Sequence, residues 1–369
     1  MKKVLFLIHD LGHGGAEKVL VNLVNHMDPK QFDITVTALF GGGVNECSLK
    51  PHIRYKAVFP RMIPGNSHWM KLLSPSALHR LCVKEHYDVE ISYLEGPSAR
   101  VVSGCSDPNT KLVCWIHCVF NSRKRAAASF RNEKEAESCY HRFDRAICVS
   151  ETVKNAFEEL FLLSAPASVL YNTVDSAQIM HLSQTVPAGI AFDDRECALI
   201  GVGTLKAVKA FDRLIRILAR LRNENIPTRL VIVGEGPDRE KLEQLARELR
   251  VDDAVSFMGY QENPYQYMAR SSLFVCSSLS EGFSTAATEA LIVGTPVCTT
   301  EVSGMREMLG DSEYGIITEN NEEALYQGVK KLLTEPRLLE RYREKARERG
   351  KYFSVENTVK AVEQMLESL

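Results

Sequence analysis

The sequence of 369 residues has little excess charge, since 45 Lys and Arg residues nearly balance 47 Asp and Glu residues. A protein that binds nucleic acid through its phosphates usually presents a clear basic excess, so we expect no nucleic-acid partner. The sequence also lacks an apolar run near the length of about 18 residues that a membrane-spanning helix needs. Any membrane contact is therefore predicted to be peripheral.

CxxC pairs are absent, although the sequence contains ten cysteines, several of them in apolar runs. This usage is typical of a reduced, cytoplasmic protein. The start, MKKVLFLIHD, lacks the long apolar core and small-residue cleavage site of a secretory signal, so we interpret it as a first strand. No DxD motif follows a strand-like run, and we therefore expect neither a catalytic metal nor a cofactor.

The sequence does contain a regular alternation of apolar runs of strand length with segments of helical period. The first series opens with strand Val4–Ile8 and helix Lys18–Met27, and the second opens with strand Ala198–Val202 and helix Phe211–Arg222. The segment Ser176–Cys197 interrupts the pattern and is interpreted as a linker. Alternation of this kind predicts parallel sheets covered by helices, hence two doubly wound Rossmann-like α/β domains at residues 1–178 and 195–353.

Glycine-rich loops follow three of the predicted strands, and ligands of such sheets bind at the carboxyl ends of strands. The loop LGHGGAEK lets the backbone at Gly14 and Gly15 approach a ligand and leads into a helix start that favours an anion. A dinucleotide fingerprint would have a third glycine where Glu17 stands, which weakens an NAD interpretation. The loops GVGTLKAVK and VGEGPD also follow predicted strands and lead into helices, and they contain Lys209 and Gly234 respectively.

The stretch SEGFSTAATEAL holds two glutamates on either side of small residues. Ser284 is a good N-cap for a helix Thr285–Val293, so Glu281 precedes the helix and Glu289 lies one turn inside it. Carboxylates accept hydrogen bonds from paired sugar hydroxyls. We therefore predict one carboxylate for each of two sugars, with the helix start on phosphates between them.

These motifs together resemble the retaining GT-B glycosyltransferases of family GT4. The resemblance rests on E281-GFSTAAT-E289, ALIVGTPV and SGMREM, with GHGGAEK, WIH, ICVSETVK, VLYNTVD, GVGTLKAVKAFDRLI and VGEGPDREKL before them in the family's order. It covers nearly the whole chain. The resemblance implies that the two domains face a central cleft and that a last helix, residues 354–369, crosses back to the N-terminal domain.

The resemblance also implies roles for individual residues. Glu281 would contact the transferred sugar, Glu289 the ribose, and Lys209 the diphosphate, while His117 would touch the donor sugar. Further substrate contacts are implied at Gly14, Gly15, Gly234, Met258, Gly259, Tyr260, Phe283, Ser284 and Thr285.

One position departs from the family's pattern, because Thr204 stands where an arginine is usual and Ala210 replaces the glycine after the lysine. The diphosphate would then lack one of the two cationic side chains, an arginine and a lysine, that the family's pattern provides. Either Lys209 and the helix start suffice, or Lys206 substitutes for the arginine.

The implied function is metal-independent transfer of a sugar, with retention of configuration, from a nucleotide-sugar to a saccharide or lipid-linked hydroxyl acceptor. The domain 1–178 would bind the acceptor and 195–353 the nucleotide-sugar. UDP-sugars are more frequent donors in this family than GDP-sugars, so the resemblance favours a UDP-sugar. A peripheral position of the protein at the inner membrane face is a further hypothesis. A sugar-nucleotide epimerase, an NAD-dependent oxidoreductase and a non-catalytic binding protein are the alternatives.

Overall fold

A computed structural model describes residues 1–12, 14–164, 166–187, 189–193 and 195–369. The chain forms two compact units, one made of Met1–Val174 with Val355–Leu369 and the other of Asp175–Ser354. Unit 1 and unit 2, as we name them, each contain one parallel sheet with helices packed on it. The predicted class of two Rossmann-like α/β sheets is confirmed.

Unit 1 is built on a seven-stranded sheet in the order β3-β2-β1-β4-β5-β6-β7, with every pairing parallel. The central strands are almost continuously apolar because helices cover both faces. Its strands are β1 Lys2–Ile8, β2 Phe32–Phe40, β3 Arg54–Phe59, β4 Val89–Ser92, β5 Lys111–Ile116, β6 Arg145–Cys148 and β7 Ser168–Val169.

The helices of unit 1 come from both ends of the chain. They are α1 Gly15–His26, α2 Asn66–Leu72, α3 Pro75–Cys82, α4 Pro97–Val102, α5 Arg123–Ala126, α6 Glu133–Tyr140, α7 Glu151–Leu160 and α16 Val355–Glu367. The last helix packs on α1, and Lys2 Nζ donates to the carbonyl of Leu366 at 2.7 Å. The predicted return of the final helix to the N-terminal sheet is confirmed.

Unit 2 is built on a six-stranded parallel sheet in the order β10-β9-β8-β11-β12-β13. Its strands are β8 Cys197–Val202, β9 Thr228–Val233, β10 Val255–Phe257, β11 Leu273–Cys276, β12 Val297–Thr300 and β13 Ile316–Thr318. Its helices are α8 Ser176–Ser183, α9 Phe211–Asn223, α10 Arg239–Glu248, α11 Tyr265–Met268, α12 Thr285–Ile292, α13 Met305–Leu309, α14 Glu322–Thr334 and α15 Pro336–Gly350.

The core of unit 2 is centred on α9, whose apolar residues recur at helical spacing. Leu214, Ile217, Leu218 and Leu221 are all fully buried in the cluster that α9 forms with the sheet. Burying each such side chain contributes about 1.5–3 kcal/mol. This packing fixes the start of α9, and with it the loop that carries Lys209.

Three elements differ from the sequence prediction. The strand β3 (Arg54–Phe59, RYKAVF) was not expected because it lies at the sheet edge and leaves polar side chains exposed. The short strand β13 was also missed. The segment Ser176–Cys197 is not wholly a linker, because it begins with α8, which packs on α11 and α12.

Within the described ranges no helix is both long and apolar enough to cross a membrane.

Candidate functional site

Three loops stack against one another at the carboxyl ends of β8, β9 and β10. The amide of Gly203 donates to Val233 O at 3.0 Å, and that of Gly234 donates to Gly259 O at 2.8 Å. The three glycines have φ values of 154°, 141° and 69°. A Cβ on Gly234 would lie 2.0 Å from Gly203 O, so this position must be glycine. The result is a half-buried backbone surface that carries no side chain at these three positions.

Lys209 ends a 3-10 turn, Ala207–Lys209, directly before α9. The next residue, Ala210, is left-handed with φ 48° and ψ 45°, a conformation that costs a residue with a Cβ about 1–2 kcal/mol. The backbone is held there by Ser277 Oγ, which donates to Lys209 O at 2.9 Å. The strained turn therefore places the lysine side chain beside the loop that follows β11.

Lys209 and Glu281 meet in a two-pronged ion pair, although 72 positions separate them in the sequence. Lys209 Nζ lies 2.7 Å from Oε1 and 2.8 Å from Oε2 of Glu281. Ser278 Oγ donates to the same carboxylate at 2.6 Å. The side chains are 27% and 10% exposed, so the pair is shielded from bulk water but open on one side. A small pocket beside the pair is also lined by Phe211, Cys276 and Ser284.

The helix α12 begins immediately after this pair. Ser284 caps it, and Ser284 Oγ accepts a hydrogen bond from the amide of Ala287 at 3.3 Å. The first turn has no acidic residue, so the positive end of the helix dipole is not neutralised there. Phe283 and Ser284 are buried, whereas Thr285 is half-buried. This geometry suits an anion at the helix start.

Glu289 lies inside α12 and is only 6% exposed. Tyr265, the first residue of α11, donates its hydroxyl to Glu289 Oε1 at 3.0 Å. A hydrogen bond to a buried carboxylate restricts its rotation. Tyr265 therefore contributes to the orientation of Glu289.

The remaining predicted residues of unit 2 lie on the stacked loops. Met258 and Gly259 follow β10 and are half-buried, and the Tyr260 side chain is 45% exposed. Thr204 is half-buried in the loop after β8, whereas Lys206 beside it is exposed. Unit 2 thus brings together Lys209 and Glu281, and separately Gly234 and Gly259.

His117 belongs to unit 1 and follows β5. Its backbone amide donates to Glu95 Oε2 at 2.9 Å, and its ring lies 5.0 Å from the ring of Tyr93. Burial lowers the pKa of His117 to about 3, so the imidazole is neutral at physiological pH. Its Nε2 is buried and has no hydrogen-bond partner among the residues described here.

The depressed pKa of His117 predicts a loss of stability in acid. Between pH 6.5 and about 3 the unfolded chain protonates this imidazole and the folded chain does not, so stability is present above 6.5 and falls with pH. From pH 7 to 5 we expect wild type to lose about 2 kcal/mol more than His117→Gln in urea unfolding. The exposed His52 gives a matched control, since His52→Gln should follow wild type. Parallel curves for wild type and His117→Gln would contradict the prediction.

Gly14 and Gly15 also lie in unit 1, where Gly14 is the N-cap of α1. The Glu17 carboxylate folds back over this helix start, because a Cβ on Gly14 would lie 1.9 Å from Glu17 Oε2. An anion that approached these amides would have to displace the Glu17 carboxylate.

Three polar partners of the predicted residues were missed from the sequence. Ser278 bonds Glu281, Tyr265 bonds Glu289, and Glu95 accepts from His117. Ser278 offered a signal, since it is a polar residue in the loop that follows an apolar strand, as is Glu95. Nothing local in NPYQYM indicated a role for Tyr265.

Comparisons with known proteins cover both units. The profile of Glycosyltransferase Family 4 matches residues 13–178, and that of glycosyl transferases group 1 matches residues 184–349. An N-acetylgalactosamine-N,N'-diacetylbacillosaminyl-diphospho-undecaprenol 4-alpha-N-acetylgalactosaminyltransferase of Campylobacter jejuni is 28% identical, with 96% of each chain covered. A lipopolysaccharide 1,6-galactosyltransferase of Salmonella typhimurium is 26% identical, covering 81% of this chain and 80% of that protein. The crystal structure of Anabaena HepE with UDP and glucose superposes with a TM-score of 0.79 at 19% identity, covering all of both chains.

Proposed function

Because the chain belongs to the GT4 family of GT-B glycosyltransferases, we propose that it transfers a sugar from a UDP-sugar to a hydroxyl of a lipid-linked saccharide, with retention of configuration and without a metal ion. The observation that carries this proposal is the Lys209–Glu281 pair at the start of α12. It sets a cation and a carboxylate next to an anion-binding helix end. A diphosphate joined to a neutral sugar has the matching chemistry.

In the proposed complex the diphosphate lies at the start of α12, near the amides of Phe283, Ser284 and Thr285. Lys209 neutralises its charge, and Glu289 accepts hydrogen bonds from the ribose hydroxyls. The base lies against the loops of Gly234, Met258, Gly259 and Tyr260, where the positive-φ glycines leave backbone uncovered. For Gly14, Gly15 and His117, which belong to unit 1, contact with the donor stays a prediction.

The proposed reaction breaks the bond between the sugar C1 and the diphosphate oxygen and forms a bond from C1 to the acceptor oxygen on the same face. The acceptor proton passes to the departing diphosphate oxygen. Positive charge develops on the sugar and negative charge on the diphosphate. Glu281 and Lys209, which already lie next to each other, stabilise these two charges at fixed positions.

The relatives support the choice of substrates. HepE was crystallised with UDP and glucose, and the Campylobacter relative is named for a diphospho-undecaprenol acceptor. The Salmonella relative is named as a lipopolysaccharide 1,6-galactosyltransferase. We therefore propose that this chain acts in the synthesis of a cell-surface glycolipid or polysaccharide, in the cytoplasm at the inner membrane face.

The test is release of nucleoside diphosphate from UDP- and GDP-sugars, with and without a lipid-linked saccharide and in the presence of EDTA. We expect acceptor-dependent release from one UDP-sugar that EDTA does not reduce, and NMR of the product should show retained configuration. Conversion of the sugar-nucleotide without release would identify an epimerase. A strict requirement for a divalent metal, or an inverted product, would overturn the mechanism.

Glu289→Gln is expected to weaken UDP and UDP-sugar binding together, by about 1–3 kcal/mol, because charged hydrogen bonds to the ribose are lost. Tyr265→Phe should weaken both by about 0.5–1.5 kcal/mol, since it acts only by orienting Glu289. Calorimetry with UDP and 2′-deoxy-UDP separates this role from a structural one. Both variants should prefer UDP over 2′-deoxy-UDP less strongly than wild type does. A protein that is merely destabilised would keep the wild-type ratio of the two affinities.

We further propose that unit 1 contacts the membrane through exposed apolar and basic residues. Leu72 is 79% exposed, and its carbonyl accepts from Arg131 Nη2 at 2.8 Å, so an apolar tip lies beside a cation. Lys124 and Arg125 on α5 are also exposed. Apolar tips with basic neighbours are typical of peripheral binding to anionic lipid.

Sedimentation with vesicles containing anionic phospholipid tests this surface. Leu72→Glu and the double variant Lys124→Glu, Arg125→Glu are each expected to reduce the bound fraction several-fold, and added salt should reduce binding of wild type. Neutral vesicles provide the control. Equal sedimentation of wild type and both variants would exclude the proposed surface.

A further inference from the structure

A histidine, a glutamate and a cysteine from three separate segments meet in unit 1. His79 lies on α3, Glu90 lies on β4, and Cys105 follows α4. Their nitrogen, oxygen and sulfur atoms all lie within 4.8 Å of one another, and His79 Nε2 is 2.8 Å from Glu90 Oε2. Across the part of the chain that the structure describes, no other group of three such side chains is close enough to share an ion.

The three side chains of the cluster are largely shielded from water. Glu90 is 2% exposed and Cys105 is 3% exposed, while the His79 side chain is 13% exposed. Among the described side chains, only His79 brings a basic group within 4.0 Å of the Glu90 carboxylate. A buried carboxylate needs a hydrogen-bond or charge partner, and His79 provides one. A cation held between the three side chains would contact all three at once.

We propose that His79, Glu90 and Cys105 bind one zinc ion. Zinc accepts imidazole nitrogen, carboxylate oxygen and thiolate sulfur, and tetrahedral ligands at its usual bond lengths lie about 3.3–3.7 Å apart. The observed separations bracket that range, with 2.8 Å between His79 Nε2 and Glu90 Oε2 and no more than 4.8 Å between any two of the three atoms. Binding forms a Zn–S bond and sends the thiol proton of Cys105 to solvent. Water completes the coordination as the fourth ligand.

The place of this cluster in the fold indicates a structural ion. Glu90 lies in the first half of β4, whereas the candidate site residues of unit 1 follow the carboxyl ends of strands. An ion here would tie α3, β4 and the chain after α4 together. The proposal does not depend on the transferase reaction, for which we propose a mechanism without a metal ion.

Metal analysis of the purified full-length chain tests the site. After incubation with zinc chloride and dialysis, wild type is expected to retain one zinc per chain, and Cys105→Ser and His79→Asn should each lose it. Cys82→Ser offers a matched control, because this cysteine ends the same helix α3 but lies outside the cluster. His86→Asn controls for a surface site, since His86 pairs with Asp107 close by.

Two further measurements need no variant. Zinc at a hundredfold excess over its dissociation constant should raise the midpoint of thermal unfolding by about 5 °C or more relative to protein in EDTA. Cobalt should give a thiolate charge-transfer band that Cys105→Ser lacks. Absence of bound zinc together with an unchanged midpoint would overturn the proposal. Zinc retained by Cys105→Ser but lost in His86→Asn would also overturn it, because the ion would then lie on the surface.

Discussion

Glu281→Gln is expected to lower sugar transfer by about 10²–10³-fold while leaving UDP affinity equal to or higher than that of wild type. Glu281 holds Lys209 through both carboxylate oxygens, so it would compete with the diphosphate for this cation. The amide releases Lys209 and removes a negative charge near the phosphates. The same amide stabilises positive charge on the sugar less well, and transfer therefore falls.

Calorimetry with UDP and a transfer assay with saturating donor separate these two effects. Glu344→Gln provides a matched control in unit 2, since this glutamate is exposed on α15 and should behave as wild type in both assays. Wild-type transfer by Glu281→Gln would show that the carboxylate takes no part in the reaction. Weakened UDP binding would instead show that its main role is to position Lys209.

Lys209→Ala is expected to weaken UDP binding and to slow sugar transfer. UDP affinity should fall by about 1.5–3 kcal/mol and the rate of transfer by about 10²–10³-fold. The lysine is lost as the counter-charge of the diphosphate both in the bound ground state and as the leaving group departs. The variant also leaves Glu281, 10% exposed, without this cation beside the incoming phosphates.

A second variant, Lys206→Ala, tests how the protein binds the diphosphate with Thr204 in place of the usual arginine. Lys206 is exposed three residues before Lys209. If Lys209 and the start of α12 suffice, Lys206→Ala should bind UDP as wild type does. If Lys206 replaces the missing arginine, this variant should lose several-fold in affinity and lower the salt dependence of binding. Wild-type binding by Lys209→Ala would reject the diphosphate site at this loop.

The sequence predicted the central strands well because they are buried on both faces and therefore continuously apolar. The predicted strands Val4–Ile8 and Ala198–Val202 end at the same residues as β1 and β8, and the start of α12 was placed by its serine cap. The edge strand β3 could not be found in this way. Its residues face solvent on one side, and its register is fixed by pairing with β2, which no local pattern records.

The candidate site shows the same division. The sequence predicted that each loop follows a strand. It also predicted that Glu281 precedes α12 and that Glu289 lies within it. The contact of Lys209 with Glu281 was not, because it depends on β8 and β11 being neighbours in the sheet. The orientation of Glu289 depends on Tyr265, 24 positions away. Long-range pairs of this kind arise from topology and leave no trace in local spacing.

The discontinuity of unit 1 has a consequence for biosynthesis. Its last segment, Val355–Leu369, follows all of unit 2 in the chain, yet it covers α1 near the beginning. At about 5–20 residues per second, a ribosome needs roughly 10–40 s to make the intervening Asp175–Ser354. During this delay the apolar stripe of α1 that α16 will cover stays open to solvent and to chaperones. Unit 2 emerges uninterrupted, so it can finish folding first, and unit 1 can be completed only after all of unit 2 has been made.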